Sequence, residues 1–240
     1  MLIFRSAGVR RVAIWTIGCL VLWLALPLIH AQQTASTVTF TCDFPGSDPA
    51  YYEVSVSSDG HGSYSSRSAP PSSDSDSPSD PATTRPAADV YHAEFVVSQS
   101  TADRIFDLAS RAHYFAGELD SRKKKLASTG AKTLSYQASG KNTHATYNYS
   151  PIPAVQDITA ILQGLSATLE FARRLEHDLR YQKLALDEEL KRMEEMAVAG
   201  SLTELSAAAP ILRKIADDAT IMNVSRSRAQ RLLAWAGSGK

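Results

Sequence analysis

Residues 51–66 read YYEVSVSSDGHGSYSS, and this pattern predicts a β-hairpin. The first half alternates between apolar and polar residues, which places Tyr52, Val54 and Val56 on one face of a strand. The Asp-Gly pair that follows supplies the positive φ angles of a tight hairpin turn. The chain then returns in a serine-rich strand that carries Tyr64. We therefore expect an antiparallel sheet with one apolar face.

Other stretches extend this sheet and add a helix. Ser98 precedes an apolar stripe that includes Ile105 and Leu108, so we expect it to cap a helix whose end is docked by Phe115. Alternating apolar residues predict further strands at 38–42, 91–97, 131–138 and 142–149.

An insert interrupts the predicted sheet at residues 66–89, which read SRSAPPSSDSDSPSDPATTRPAAD. The insert contains no Ile, Leu, Val or aromatic residue, so it cannot bury enough apolar surface to offset the entropy lost on ordering. We expect a disordered loop. Its Ser-Asp alternation lacks the glycine and the closing glutamate of a calcium-binding loop.

The C-terminal part is predicted to be helical. Pro151 and Pro153 open a helix, and a heptad pattern of apolar residues continues from Ala154 to about Val198. After Gly200, the sequence SLTE predicts a capping box and a second amphipathic helix. The interpretation is a coiled-coil-like helical hairpin. The residues expected to form its interaction seam are Leu175, Leu179, Leu186 and Met193.

These elements give an α+β fold class, in which a small antiparallel sheet packs on helices. The expected domains are an α+β domain at 38–170, with the insert inside it, and a helical hairpin tail at 171–240.

The N-terminal residues 1–31 have the layout of an export signal. Basic residues precede Val12–Ile29, which is 18 residues long and uncharged, and Ala31 offers a small residue for cleavage. The length also reaches the lower limit for a membrane span. We expect a cleaved signal peptide and a periplasmic or secreted protein. The alternative is a retained single-pass anchor in the inner membrane, with the body of the chain exported.

Composition restricts the classes of partner. The chain has 240 residues, 44% of them hydrophobic, with 25 basic and 25 acidic residues. Three of the arginines lie in residues 1–31, which contain no acidic residue, so the rest of the chain is slightly acidic. This net charge gives no electrostatic attraction towards nucleic acid. We expect membrane contact only if the N-terminal segment is retained. Cleavage would also remove Cys19 and leave Cys42 alone, which predicts a buried free thiol.

Three stretches together resemble a small domain of unknown function found in exported bacterial proteins. They read YYEVSVSSDGHGSY, FVVSQSTADRIFDLASRAHYF and TGAKTLSYQASGKNTHATYNYSP, and the resemblance covers about residues 38–170. It implies an exported location and the order hairpin, strand, helix, hairpin, helix, without implying a reaction. Many members carry two cysteines before the first tyrosine strand, whereas this chain has only Cys42 there.

The sequence predicts no catalytic residues, cofactor or metal site. It contains no nucleophile elbow, phosphate loop or dinucleotide fingerprint. We interpret the histidines beyond the signal as exposed single side chains: His61, His92, His113, His144 and His177. His92 and His144 point away from the apolar residues of their strands, so a site on the exposed sheet face would use these two.

The leading hypothesis is an exported, non-catalytic interaction module whose helical tail mediates association with an unknown protein partner or with itself. The long heptad pattern motivates it. The competing hypothesis is an envelope enzyme or metal-binding protein that uses His92 and His144 on the exposed sheet face. A third is a structural arm that spaces the domain from the membrane.

Overall fold

Six antiparallel strands form one sheet in the computed structural model, which describes residues 35–68, 90–123 and 126–238. The spatial order is β4-β3-β2-β1-β5-β6, so β4 and β6 are the two edge strands. Every neighbouring pair is antiparallel. The strands are β1 (Thr37–Asp43), β2 (Tyr51–Ser57), β3 (His61–Arg67), β4 (Val90–Val96), β5 (Ala131–Ala138) and β6 (Lys141–Tyr147).

Five helices complete the fold and confirm the α+β class. They are α1 (Gln99–Arg111), α2 (Pro153–Tyr181), α3 (Leu186–Val198), α4 (Ala209–Asp217) and α5 (Asn223–Gly237). Short 3-10 turns occupy His113–Phe115 and Leu205–Ala208. Within the described ranges, none of these helices has both the length and the apolar character that crossing a bilayer requires.

One face of the sheet is covered by α1 and α2 and forms the first core. Val38, Phe40, Val54 and Leu134 are fully buried there, together with Ile105 of α1. Ser98 caps α1 as expected, because its hydroxyl accepts from the backbone N–H of Thr101. The alternation in each strand therefore sets which side chains meet the helices.

Helix α2 crosses this inner face from one edge of the sheet towards the other. Near its start, Thr159 hydrogen-bonds Tyr147 of β6. Further along the helix, Glu170 accepts from Tyr64 of β3 at 2.7 Å. The predicted boundary between 38–170 and 171–240 falls inside this one helix, which the sheet and the C-terminal helices share.

The opposite face of the sheet is open and rich in hydroxyl groups. Rows of serine and threonine cross the strands, and some of them pair: Thr39 with Ser55 at 2.9 Å and Thr133 with Thr146 at 2.9 Å. Such cross-strand hydroxyl pairs stabilise a sheet modestly. The open face is therefore polar, and Glu53 of β2 adds a carboxylate to it.

The expectation of one helix from Ala154 to Val198 is wrong. Helix α2 ends at Tyr181, and the chain turns through residues 182–185 before α3 begins at Leu186. Asp187, Glu188 and Glu189 occupy the first turn of α3, where negative charge is favourable beside the helix dipole. Because of this turn, α3 packs against the apolar residues at the end of α2.

The C-terminal part is a bundle rather than a two-helix hairpin. The end of α2 packs with α3, α4 and α5 around a second apolar core that contains Phe171, Leu190 and Leu212. Ion pairs link the helices at its surface: Arg228 of α5 reaches Asp187 at 2.9 Å and Glu194 of α3 at 2.5 Å. These contacts join helices that are distant in sequence.

The capping box predicted at SLTE does not form. Glu204 has a positive φ of 54°, and α4 begins later, with Pro210 in its first turn. The Glu204 carboxylate instead accepts from the backbone N–H of Ser98 at 3.1 Å and from its hydroxyl at 2.5 Å. Burial opposes ionisation of Glu204, but hydrogen bonds from Ser98 and its neighbours outweigh burial and lower its pKa. Glu204 thus connects the bundle to the start of α1.

The two edges of the sheet differ in what packs against them. At the β6 edge, the left-handed turn His113–Phe115 packs against the sheet: Thr143 donates to the carbonyl of Tyr114, and Phe115 is fully buried. The Nζ of Lys141 lies 3.7 Å from the centre of the Tyr114 ring. At the β4 edge, no other strand within the described ranges pairs with β4 except β3.

Three sequence expectations fall partly or wholly outside the described residues. The signal peptide or anchor at 1–31 lies outside them, as do residues 69–89 of the insert. The insert boundary needs correction, because Ser66 and Arg67 belong to β3 and pair with β2 and β4. Residues 171–240, expected as a hairpin, are described up to Ser238.

Replacement of Leu186 tests whether the predicted seam stabilises a single chain. Leu186 is fully buried in the second core, whereas Leu184, two residues earlier, is 82% exposed. We predict that Leu186→Ala lowers the free energy of unfolding by about 2–5 kcal/mol because it leaves a cavity. Leu184→Ala should change it by less than about 0.5 kcal/mol. Urea unfolding of both variants measures this, and equal stabilities would contradict the assignment.

Candidate functional site

The four residues predicted to form an interaction seam lie inside the chain's own helical bundle. Leu175, Leu186 and Met193 are fully buried, and Leu179 packs partly buried against the same core. Their expected role as a surface for another chain is therefore corrected. The apolar residues of the heptad pattern instead pack α2 and α3 against each other and against α4 and α5.

The two histidines of the competing hypothesis are far apart. His92 and His144 both face the open side of the sheet, as expected, but they lie on the opposite edge strands β4 and β6. Five inter-strand spacings separate these strands, or about 24 Å. Among the described residues, no group of three or more potential ligands could hold a metal ion.

A buried carboxylate lies where α2 meets β3. Glu170 is only 4% exposed, and one of its oxygens accepts from the hydroxyls of Tyr64 at 2.7 Å and Ser66 at 2.6 Å. The other oxygen accepts from Nε of Arg173, one turn along α2, at 2.7 Å. A buried charge is stable only when it is paired and hydrogen-bonded, and this carboxylate is both.

A cleft of about 280 Å³ opens directly above this network, between the β3–β4 end of the sheet and the last turns of α2. One wall carries Tyr91 and Val90. The other carries side chains spaced three or four residues apart along α2, which therefore share one face of the helix. These are Arg173, Glu176, His177, Arg180 and Tyr181.

Carboxylates balance the arginines of the cleft. Glu170 pairs with Arg173, Glu176 lies on the same wall as Arg180, and His177 contacts Asp178 at 3.3 Å. Burial disfavours the charge of Arg173, but the hydrogen bond to Glu170 and the negative charge of that carboxylate outweigh burial and raise the Arg173 pKa. The Nε contact uses one of the five N–H donors of the guanidinium. Arg173 thus lies fixed in the cleft wall with its charge maintained.

Aromatic rings connect the cleft to the core. Phe40, Tyr52, Tyr64 and Tyr91 form a row across β1–β4, with ring centres 5.9, 6.5 and 6.3 Å apart. Burial raises the pKa of Tyr64, and the Glu170 carboxylate raises it further, so the phenol remains a hydrogen-bond donor. This row places Tyr52, Tyr64 and Tyr91 on the inner face of the sheet, beside α2.

A second cavity of about 240 Å³ opens beside Lys132 and Tyr147. Lys132 is 6% exposed, and burial lowers its pKa. Its ammonium donates to two oxygens of Thr129 and to the carbonyl of Asn148, which uses all three of its donors. Cys42, its partner across β1 and β5, is a buried free thiol, as expected. The saturated hydrogen bonds indicate a structural lysine.

The sequence pattern does not predict Glu170 and Arg173 as site residues, and it indicates Arg180 only as the i, i+4 partner of Glu176 on a helix surface. The positions of Tyr64 and Ser66 about a hundred residues earlier give no local signal for a partner on α2. A weak signal exists in the i, i+3 spacing of Glu170 and Arg173, at the point where the mainly apolar first half of α2 is followed by charged residues.

A scan against models of known protein families finds none that matches this chain, and a search of curated proteins finds no match either. The resemblance to an exported bacterial domain therefore stays a prediction.

Replacement of Glu170 tests whether the network shapes this site. We predict that Glu170→Gln lowers the free energy of unfolding by about 1–3 kcal/mol, because the amide places an NH₂ group among donors and leaves Arg173 without its charge partner. Glu176→Gln is the matched control on the same cleft wall, since Glu176 is exposed. Denaturant unfolding of both variants measures the effect, and a Glu170→Gln protein as stable as the control would refute a buried ionised carboxylate.

Proposed function

We propose that the protein is an exported, non-catalytic binding module, and that the cleft between β4 and the end of α2 takes an acidic segment of a partner protein. The observation that carries the proposal is the pair of arginines, Arg173 and Arg180, on one face of α2, the first of them held by the buried carboxylate of Glu170. Arg173, His177 and Arg180 line the cleft with two tyrosines.

The chemistry of the walls favours a carboxylate-bearing ligand. Arginine recognises carboxylates through parallel N–H donors, and Arg173 is held in place by Glu170 before any ligand arrives. Holding the side chain in advance reduces the entropy lost on binding. Tyr181, 67% exposed, offers a flat surface beside Arg180. An extended acidic peptide with an apolar or aromatic neighbour meets these requirements.

The site suits binding better than catalysis. Its deepest ionised groups, Glu170 and Arg173, are hydrogen-bonded to each other, and the hydroxyls of Tyr64 and Ser66 donate to Glu170. A general base or nucleophile needs a lone pair directed at the substrate. In this arrangement the carboxylate orients the arginine instead.

The proposed location outside the cytoplasm rests on the sequence of residues 1–31, whose basic start, apolar core and small residue at 31 fit an export signal. The partner would then be an extracytoplasmic protein.

A blocked pentapeptide with three consecutive glutamates is the probe for the cleft, and the same peptide with glutamines is its control. We predict binding of the acidic peptide alone, and a roughly tenfold weaker affinity for Arg180→Gln, because one charge-assisted contact is lost. Arg104→Gln, which removes an exposed arginine on α1, should leave the affinity unchanged. Calorimetric titration gives these constants. Equal binding of both peptides, or an equal loss in both variants, would exclude a specific acidic site.

The intact mass of the protein in its native cell fraction tests the proposed location. We predict a chain that begins at Gln32 in a soluble extracytoplasmic fraction, because cleavage follows Ala31. A full-length chain in the membrane fraction would show a retained anchor, and a full-length chain in the cytoplasm would refute export.

A further inference from the structure

The outer edge of β4 carries backbone groups that pair with no other strand of the described ranges. The N–H of Val97 donates to the carbonyl of Gly60, which makes these two residues a hydrogen-bonded antiparallel pair. Because such pairs recur at every second residue, Phe95, Ala93 and Tyr91 direct their backbone groups towards β3. The N–H and C=O groups of the alternate residues therefore point away from the sheet. These residues are Val90, His92, Glu94 and Val96.

The side chains of β4 are arranged symmetrically about Ala93 in the sequence VYHAEFV. Valine stands three residues to each side and an aromatic residue two to each side. Directly beside Ala93 stand a basic residue on one side and an acidic residue on the other. Val90, His92, Glu94 and Val96 share the open face, and all four are exposed. Val90 is 45% and Val96 is 58% exposed.

We propose that β4 pairs antiparallel with β4 of a second copy of this chain, in the register centred on Ala93, so that two six-stranded sheets become one. The β4 edge shares Val90 and Tyr91 with the wall of the cleft, but the proposal rests on the register of β4 and does not depend on a ligand of the cleft. In this register the outward backbone groups of each copy face those of the other, which allows about eight inter-chain hydrogen bonds.

The side chains beside Ala93 select this register over its neighbours. Centred on Ala93, His92 of each copy lies opposite Glu94 of the other, and Val90 lies opposite Val96. Antiparallel geometry permits shifts only by two residues, because outward groups must meet outward groups. One such shift brings His92 opposite His92, and the other brings Glu94 opposite Glu94. Two carboxylates directly opposite each other destabilise a strand pair, and either shift loses both contacts between His92 and Glu94, so the central register is the favourable one.

The sequence of β4 also lacks two residues that commonly protect an edge strand against pairing. Strand β4 contains no proline or lysine, which natural edge strands use to prevent association. The other edge, β6, begins with Lys141 and is packed against the turn His113–Phe115. The contrast indicates that β4 is the edge adapted for a partner.

We expect analytical ultracentrifugation of the purified protein to show a reversible dimer. Charge reversal at His92 or Glu94 then tests the pairing. His92→Glu should raise the dissociation constant about tenfold or more, because the introduced carboxylate then faces Glu94 of the other copy at both symmetric positions. Glu94→Lys should also weaken the homodimer, because the introduced ammonium then faces His92. His144→Glu is the matched control on the opposite edge strand and should leave the dimer unchanged.

A mixture of the two charge variants should restore association as a heterodimer. The carboxylate introduced at position 92 of one chain then faces the ammonium introduced at position 94 of the other. At the second symmetric position, the native Glu94 of the first chain faces the native His92 of the second. Two variants that remain monomeric when mixed would contradict the register.

A cross-link fixes the register independently. Ala93 faces Ala93 across the proposed two-fold axis at a non-hydrogen-bonded position, where Cα atoms lie about 4.5 Å apart. Mild oxidation should therefore link Ala93→Cys into a covalent dimer, while His92→Cys, whose counterpart is Glu94, should remain largely unlinked. A monomer at the highest concentration that the protein tolerates would overturn the proposal. So would a dimer that neither charge reversal weakens, whatever the cleft binds.

Discussion

Helix α2 is the element on which both cores depend. Its first half covers the inner face of the sheet, and its second half is one wall of the helical bundle. A single continuous helix therefore couples the packing of the two parts. Where it passes from one to the other, the chain buries Glu170 rather than an apolar residue, and the network of Tyr64, Ser66 and Arg173 keeps that charge tolerable.

The cleft is a direct consequence of this crossing. The helix reaches the β3–β4 end of the sheet and continues past it, so its polar face has no further strand of the described chain to cover it. The side chains that emerge there, including His177 and Arg180, must be solvated or paired with something outside the fold. The buried carboxylate beneath them holds Arg173 in one orientation. The same crossing thus explains the stability of the helix and the exposure of its cationic end.

The sequence predicts local elements well and long-range partners poorly. The bounds of β2 and β5, and Ser98 as the cap of α1, follow from alternation and from capping chemistry, which act between near neighbours. The break between α2 and α3 is hidden, because both helices bury into one core and keep the same apolar spacing across the turn. Glu204 matches a local capping box, yet its hydrogen bonds go to Ser98, 106 residues away. Glu170 is hidden for the same reason, since its partners lie on another strand.

The charged side chains of β4 affect strand pairing differently from those of most edge strands. A single lysine or an inward charge prevents pairing with any strand. His92 and Glu94, on either side of Ala93, instead discriminate among pairings: they disfavour shifted registers and favour the one in which each faces the other residue type. Because side chains alternate faces, the same register keeps the aromatic Tyr91 and Phe95 on the covered side and His92 and Glu94 on the open side. Side chains alternate between the two faces of the sheet, and this alternation therefore also limits how the edge strand can pair with another strand.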